Sequence, residues 1–202
     1  MSTHNSTRRR ACKTQRKPKP KSKDIPKLRP GSRRKPKPMA LNDMPLTRTE
    51  LKRYLRQFLK FRVPDRRICG HHSTPIDYLW HSYSCDLRSR IDGTDRAALA
   101  RFRAPQRPGG DCIVWANRGG GKTQLAAIAT LLEGVFKKHC KTLLLAGSLD
   151  QTGRMYDYLC DFLASGDGAF QSLLKGKVLA ESCAFTNGTT VQVLSQSQRS
   201  VR

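Results

Sequence analysis

Residues 112–123 read CIVWANRGGGKT, and the fold turns on how that stretch divides. Cys112-Ile113-Val114-Trp115-Ala116 is a short apolar run, as a strand buried on both faces would carry. Gly119, Gly120 and Gly121 interrupt it. From Lys122 onward Leu125, Ile128, Ala129, Leu132, Val135 and Phe136 recur at the spacing of one helix face. Strand, glycine loop ending in G-K-T, and helix are the ordinary setting of a phosphate-binding loop. The pattern G-x-x-x-x-G-K-S/T begins with Gly, and here that position is Ala116. A small residue fits there if the turn does not require positive φ.

Such a loop works by geometry. Successive backbone N–H groups curl around a phosphate, and the helix N-terminus adds partial positive charge. Ala116, Asn117, Arg118, Gly119, Gly120 and Gly121 would form the cradle. Lys122 would reach the β- and γ-phosphates of ATP, and the Thr123 hydroxyl would bind Mg²⁺. Arg118 stands inside the loop, where it would stabilise charge on the γ-phosphate. The plainer readings are a flexible Gly-rich turn, and for Arg118 an outward side chain paired with an acid.

Downstream, Thr142-Leu143-Leu144-Leu145-Ala146 reads as a second buried strand, which completes a βαβ unit. Ser148 and Gln151 have capping-box spacing. Met155, Tyr158, Leu159, Phe162 and Leu163 form the apolar stripe of the helix that follows, ended by Gly166-Asp167-Gly168. Residues 177–194, KVLAESCAFTNGTTVQVL, read as two strands joined at Asn187-Gly188.

Upstream, Thr47 and Glu50 make a capping box and Leu46 with Leu51 a hydrophobic staple. Leu51, Tyr54, Leu55, Phe58 and Leu59 share one helix face. Lys52, Arg53, Arg56 and Lys60 lie off it and read as solvated surface rather than a DNA contact. Residues 75–83, PIDYLWHSY, suggest a short helix with buried aromatics, residues 86–103 another, and residues 104–110 a linker. Cys69, His71 and His72 are close in sequence, but adjacent His side chains diverge and no fourth ligand is evident, which argues against a structural zinc site.

The charge is uneven. The 202 residues carry +24 overall, of which residues 1–40 hold +14, residues 41–110 hold +7 and residues 111–202 hold +3. Six prolines and almost no large apolar side chain accompany the first segment, so a disordered basic arm is predicted there. It repeats R-K-P-K-P at 16–20 and 34–38. Cations held extended by proline suit non-specific contact with DNA or RNA, or form a solvated tail. Seven cysteines without a C-x-x-C predict free thiols in a reducing compartment. No apolar run approaches the ~20 residues that span a bilayer, and no apolar stretch follows the basic N-terminus. A cytoplasmic protein without a membrane partner is expected.

Three segments together resemble the ATPase domain of phage terminase large subunits. They are W-A-N-R-G-G-G-K-T, then L-L-L-A-G-S-L-D-Q-T-G-R-M-Y, then F-T-N-G-T-T-V-Q-V-L-S-Q-S-Q-R-S-V-R. The family's loop reads x-x-R-x-x-G-K-T, with an Arg where Arg118 stands. The resemblance covers roughly residues 105–202. It implies an α/β fold, an incomplete P-loop NTPase of the ASCE type. Its parallel sheet would have flanking helices and a β-hairpin, and the ATPase portion at 105–202 would follow a basic arm at 1–45 and a helical lead-in at 46–104. It implies a motor that uses ATP and Mg²⁺ to package double-stranded viral DNA in a bacterial host. The partners would be the portal and the small terminase subunit, and the assembly a ring. It also implies that Pro75, Tyr78 and Gln106 help hold the adenine.

The family continues with an apolar strand ending in Asp-Glu and with a nuclease domain, and neither is found in these 202 residues. The expectation is therefore the N-terminal piece of a larger protein, with unpaired strand backbone and an exposed apolar face. The alternatives are a basic nucleic-acid-binding protein with a vestigial loop, or another P-loop DNA-dependent ATPase such as a helicase.

Overall fold

The computed structural model describes residues 38–85, 87, 91, 93–102, 112–165 and 167–195. The basic arm through residue 37, Gln106, the linker and residues 196–202 lie outside the described residues. Among the described residues, five α-helices and three strands run in the order α1 (Arg48–Phe58), α2 (Pro75–Ser84), α3 (Arg96–Arg101), α4 (Lys122–Phe136), β1 (Lys141–Ala146), α5 (Leu149–Ala164), β2 (Ser182–Ala184) and β3 (Thr190–Ser195). A short 3₁₀ turn, Ala169–Leu173, links α5 to the hairpin.

The α/β class holds, but the sheet is mixed rather than parallel. Its order is β1-β3-β2. β3 runs parallel to β1, with Lys141 opposite Thr190 and Ala146 opposite Ser195. β2 runs antiparallel to β3, with Cys183 opposite Val191. The hairpin sits at Asn187-Gly188 as expected, with Gly188 at φ +86°. Its Asn187 amide also donates to the carbonyls of Gly134 at 2.8 Å, Val135 at 3.2 Å and Lys137 at 3.3 Å. Those are open carbonyls at the end of α4, so the turn that reverses the chain also caps the helix before it. Hairpin and helix approach closely: a Cβ on Gly134 would lie 2.4 Å from the Phe185 ring.

The expected strand at 112–116 does not form. Those residues have no regular structure, and Ile113 and Trp115 are 91% and 95% exposed. Nor is β1 buried on both faces, since Leu144 is inside while Leu143 and Leu145 stand half exposed. The reason is pairing. β3 occupies one edge of β1, and no described strand lies on the other. An apolar run becomes a strand only when a neighbour takes its N–H and C=O groups.

α1 begins as its sequence dictates. Thr47 Oγ1 accepts from the Glu50 N–H at 3.2 Å, and Glu50 reaches back to the Leu46 N–H at 2.8 Å. Leu51, Tyr54 and Leu55 are fully buried. α2 has a capping box of its own, in which the Thr74 N–H and hydroxyl both donate to Asp77, at 2.8 and 2.7 Å. Arg48 pairs with the same carboxylate at 2.7 Å and ties the starts of α1 and α2 together.

One core serves the lead-in and the segment after it. The Tyr54 and Tyr83 rings meet Phe136 of α4 edge-on, with centroids 5.2 and 5.6 Å away. The division at 104/105 is therefore not a division between cores. Order also starts before Leu46. Gln57 brackets Met39, accepting from its N–H at 3.0 Å and donating to its carbonyl at 2.6 Å. Tyr54 and Tyr83 donate to the carbonyls of Leu41 and Pro45, each at 3.0 Å. Residues 38–45 thus belong to the folded unit rather than to the arm. Cys69, Cys85, Cys140, Cys160 and Cys183 are free thiols, and among the described residues no helix is long and apolar enough to cross a membrane.

Candidate functional site

The chain between Ala116 and α4 is shaped by its glycines. Gly119 (φ +78°) and Gly121 (φ +73°) are left-handed, and Gly120 between them is not. This alternation is the backbone pattern of anion-binding concavities. Gly120 is required for space instead: a Cβ there would lie 2.7 Å from Asn117 Oδ1 and 3.1 Å from the Asn117 carbonyl. The Gly120 N–H donates to that carbonyl at 3.2 Å and closes the turn. Gly121 is then the N-cap of α4 and offers no capping side chain, so the first N–H groups of the helix stay available.

Lys122, first residue of α4, folds back over the loop. Its ammonium donates to the Ala116 and Asn117 carbonyls, both at 2.8 Å. Ala116 takes part through its backbone, which explains why its departure from Gly is harmless to the loop.

Lys122 and Thr123 open onto a cleft of about 450 Å³. Its floor is the C-terminal end of β1 (Leu144, Leu145, Ala146), its far wall the first turns of α5 (Gln151, Thr152, Arg154, Met155), and its remaining sides Ala126, Val114 and Tyr78. A crevice beyond the carboxyl end of a parallel strand, beside a helix N-terminus, is where open α/β sheets take ligands. Burial pushes the Tyr78 phenol up, so it faces the cleft as a neutral hydrogen-bonding group. None of the described residues lining the cleft is a carboxylate.

The structure therefore gathers Ala116, Asn117, Gly120, Gly121, Lys122 and Thr123 about one point, with Tyr78 across the cleft. Arg118 is exposed and does not line the cleft. Pro75 is the first residue of α2, on the element that supplies Tyr78. Cys69 contacts His72 Nδ1 on the surface, and no group of three or more metal-ligating side chains occurs among the described residues.

Sequence reasoning missed Arg154. It lies on the outer turns of α5, makes no ion pair with any described residue, and lines the cleft shared with Lys122. The available signal was its place six residues after the Ser148 cap, on the helix that begins at the mouth of β1.

No protein-family model matches the chain, and no curated protein or solved structure matches it either.

Proposed function

We propose that this chain is an ATP-binding portion of a terminase large subunit, the motor that drives double-stranded viral DNA into a capsid. In this reading β1, α4 and the loop before α4 belong to a P-loop NTPase sheet of the ASCE type. The observation that carries it is the Lys122 ammonium, held over the loop by two carbonyls at 2.8 Å beside the open N-terminus of α4. A lysine placed there meets the β- and γ-phosphates of ATP, and the Thr123 hydroxyl meets Mg²⁺. Bound ATP supplies the phosphoanhydride bond. The chain's own residues that would hold the triphosphate are Lys122, Thr123 and the glycine loop, with Tyr78 and the first turns of α5 lining the rest of the cleft. The Arg within the loop and the order of the three resembling segments favour a terminase over other P-loop ATPases. Double-stranded DNA, the portal, the small subunit and a ring assembly follow from that choice.

Calorimetric titration with Mg·ATP tests it. Wild-type protein is expected to bind one equivalent, and Lys122→Ala to bind ~10- to 100-fold more weakly, the worth of one charge-assisted contact. Equal binding by both proteins would sink the assignment.

A further inference from the structure

Residues 48–67 hold eight Lys and Arg against two acids, and six of these cations are exposed. Leu51, Tyr54 and Leu55 take the inner face of α1. Lys52 and Arg56 are left off that face, Arg48 at the first turn reaches across to Asp77 of α2, and Lys60 follows the end of the helix. The segment after the helix lies beside Lys52 and Arg56, because Lys52 pairs with Asp65 and Arg56 acts on the same carboxylate. Arg67 in turn acts on Asp77, the partner of Arg48. Helix and segment therefore form one cationic surface, continuous from Arg48 to Arg67.

Its acids are already taken. Asp65 and Asp77 are held by Lys52 and Arg48, and Glu50 by Arg101. Arg56, Arg62, Arg66 and Arg67 are exposed and make no ion pair among the described residues. Four guanidinium groups free to make paired hydrogen bonds suit phosphate oxygens.

We propose that this face binds the phosphate backbone of double-stranded DNA without reading its sequence. The choice of DNA rests on the functional reading above, whereas the surface does not. A membrane is disfavoured because a single large apolar side chain, the exposed Ile68, borders this surface, whereas membrane-surface segments bury an apolar face. The face is separate from the nucleotide cleft, which none of its residues lines.

The test is duplex DNA binding by the full chain as a function of salt. Three proteins are compared: wild type, the triple variant Arg56→Gln/Arg62→Gln/Arg66→Gln, and a control with Lys141→Gln/Lys175→Gln/Lys177→Gln. Residues 1–37 are common to all three, so differences report the folded surface. The triple variant is expected to lose about 2–3 from the slope of log Kobs against log salt, with a matching loss of affinity at low salt. The control is expected to keep the wild-type slope. If the triple variant melts early, each single substitution is expected to lose about 1 from the slope. An unchanged slope in a folded variant overturns the proposal, as does an equal loss in the control. Loss of binding to phosphatidylserine vesicles with DNA binding intact overturns it in favour of a membrane. A wild-type protein that binds DNA through these arginines but not Mg·ATP would sink the nucleotide reading and leave this surface standing.

Discussion

Lys122 spends two of its three N–H donors on the carbonyls of Ala116 and Asn117. Both acceptors are neutral. A phosphate oxygen carries a full negative charge, so it adds a Coulomb attraction to the ammonium that the carbonyls lack, and a polyphosphate competes well for the same donors. Arg154 faces the same cleft without a described partner. With a triphosphate in the cleft, Arg154→Ala is expected to weaken Mg·ATP binding about fivefold, as a solvent-screened contact would. Titration of the variant checks this, and unchanged affinity would place the guanidinium outside the nucleotide's reach. Arg118, more conspicuous in the sequence, does not line the cleft. The difference is one of range. Lys122 and Thr123 are legible because a loop and the first turn after it are local. Arg154 reaches the cleft only because β1 pairs with β3 and returns the chain through α5, and no spacing rule carries that information.

At the scale of elements, caps and stripes were the legible part. The box at Thr47, the cap at Ser148 and the hairpin at Asn187-Gly188 each concern residues within a few positions of one another. The box of α2 was equally local but hidden by Pro75, which follows Thr74 and draws attention as a breaker rather than as a first helical residue. That box carries a pH dependence. Burial raises the pKa of Asp77, but hydrogen bonds from Thr74 and the nearby Arg48 outweigh it, and the carboxyl ends below its ordinary value of 3.8. A carboxylate depressed by folding stabilises fully above the unfolded value and loses that contribution as pH falls through the folded one. Asp77→Ala is therefore expected to cost about 1 kcal/mol and to lower Tm by about 2–8 °C at pH 7. The gap from wild type should shrink below about pH 3.8, where the wild-type carboxyl itself takes up a proton. Circular dichroism melts across that range decide it, and a gap that stays constant into acid would contradict the role given to the ion. The strand expected at 112–116 failed for a non-local reason: apolar composition names a candidate, but a partner edge makes the strand.

Across the whole described unit, one core runs from Met39 to Val193. The lead-in helices are not an appendage to the βα segment. They seat Tyr78 against the cleft while Tyr54 and Tyr83 grip Phe136, so the cleft is built on the same core as the lead-in helices. Composition showed the basic excess but not how the folded unit would sort it. Charge density was highest in residues 1–40, yet four unpaired arginines on the folded surface are the ones whose geometry can be argued. The central claim is that residues 116–123 hold a triphosphate in the cleft between α4, β1 and α5. Amide hydrogen exchange of the full chain, with and without Mg·ATP, tests that most directly. The account predicts slowed exchange at residues 117–125, at the end of β1 and in the first turns of α5, all lost in Lys122→Ala. Unchanged exchange across these segments at saturating Mg·ATP, or protection confined to another part of the chain, would contradict it.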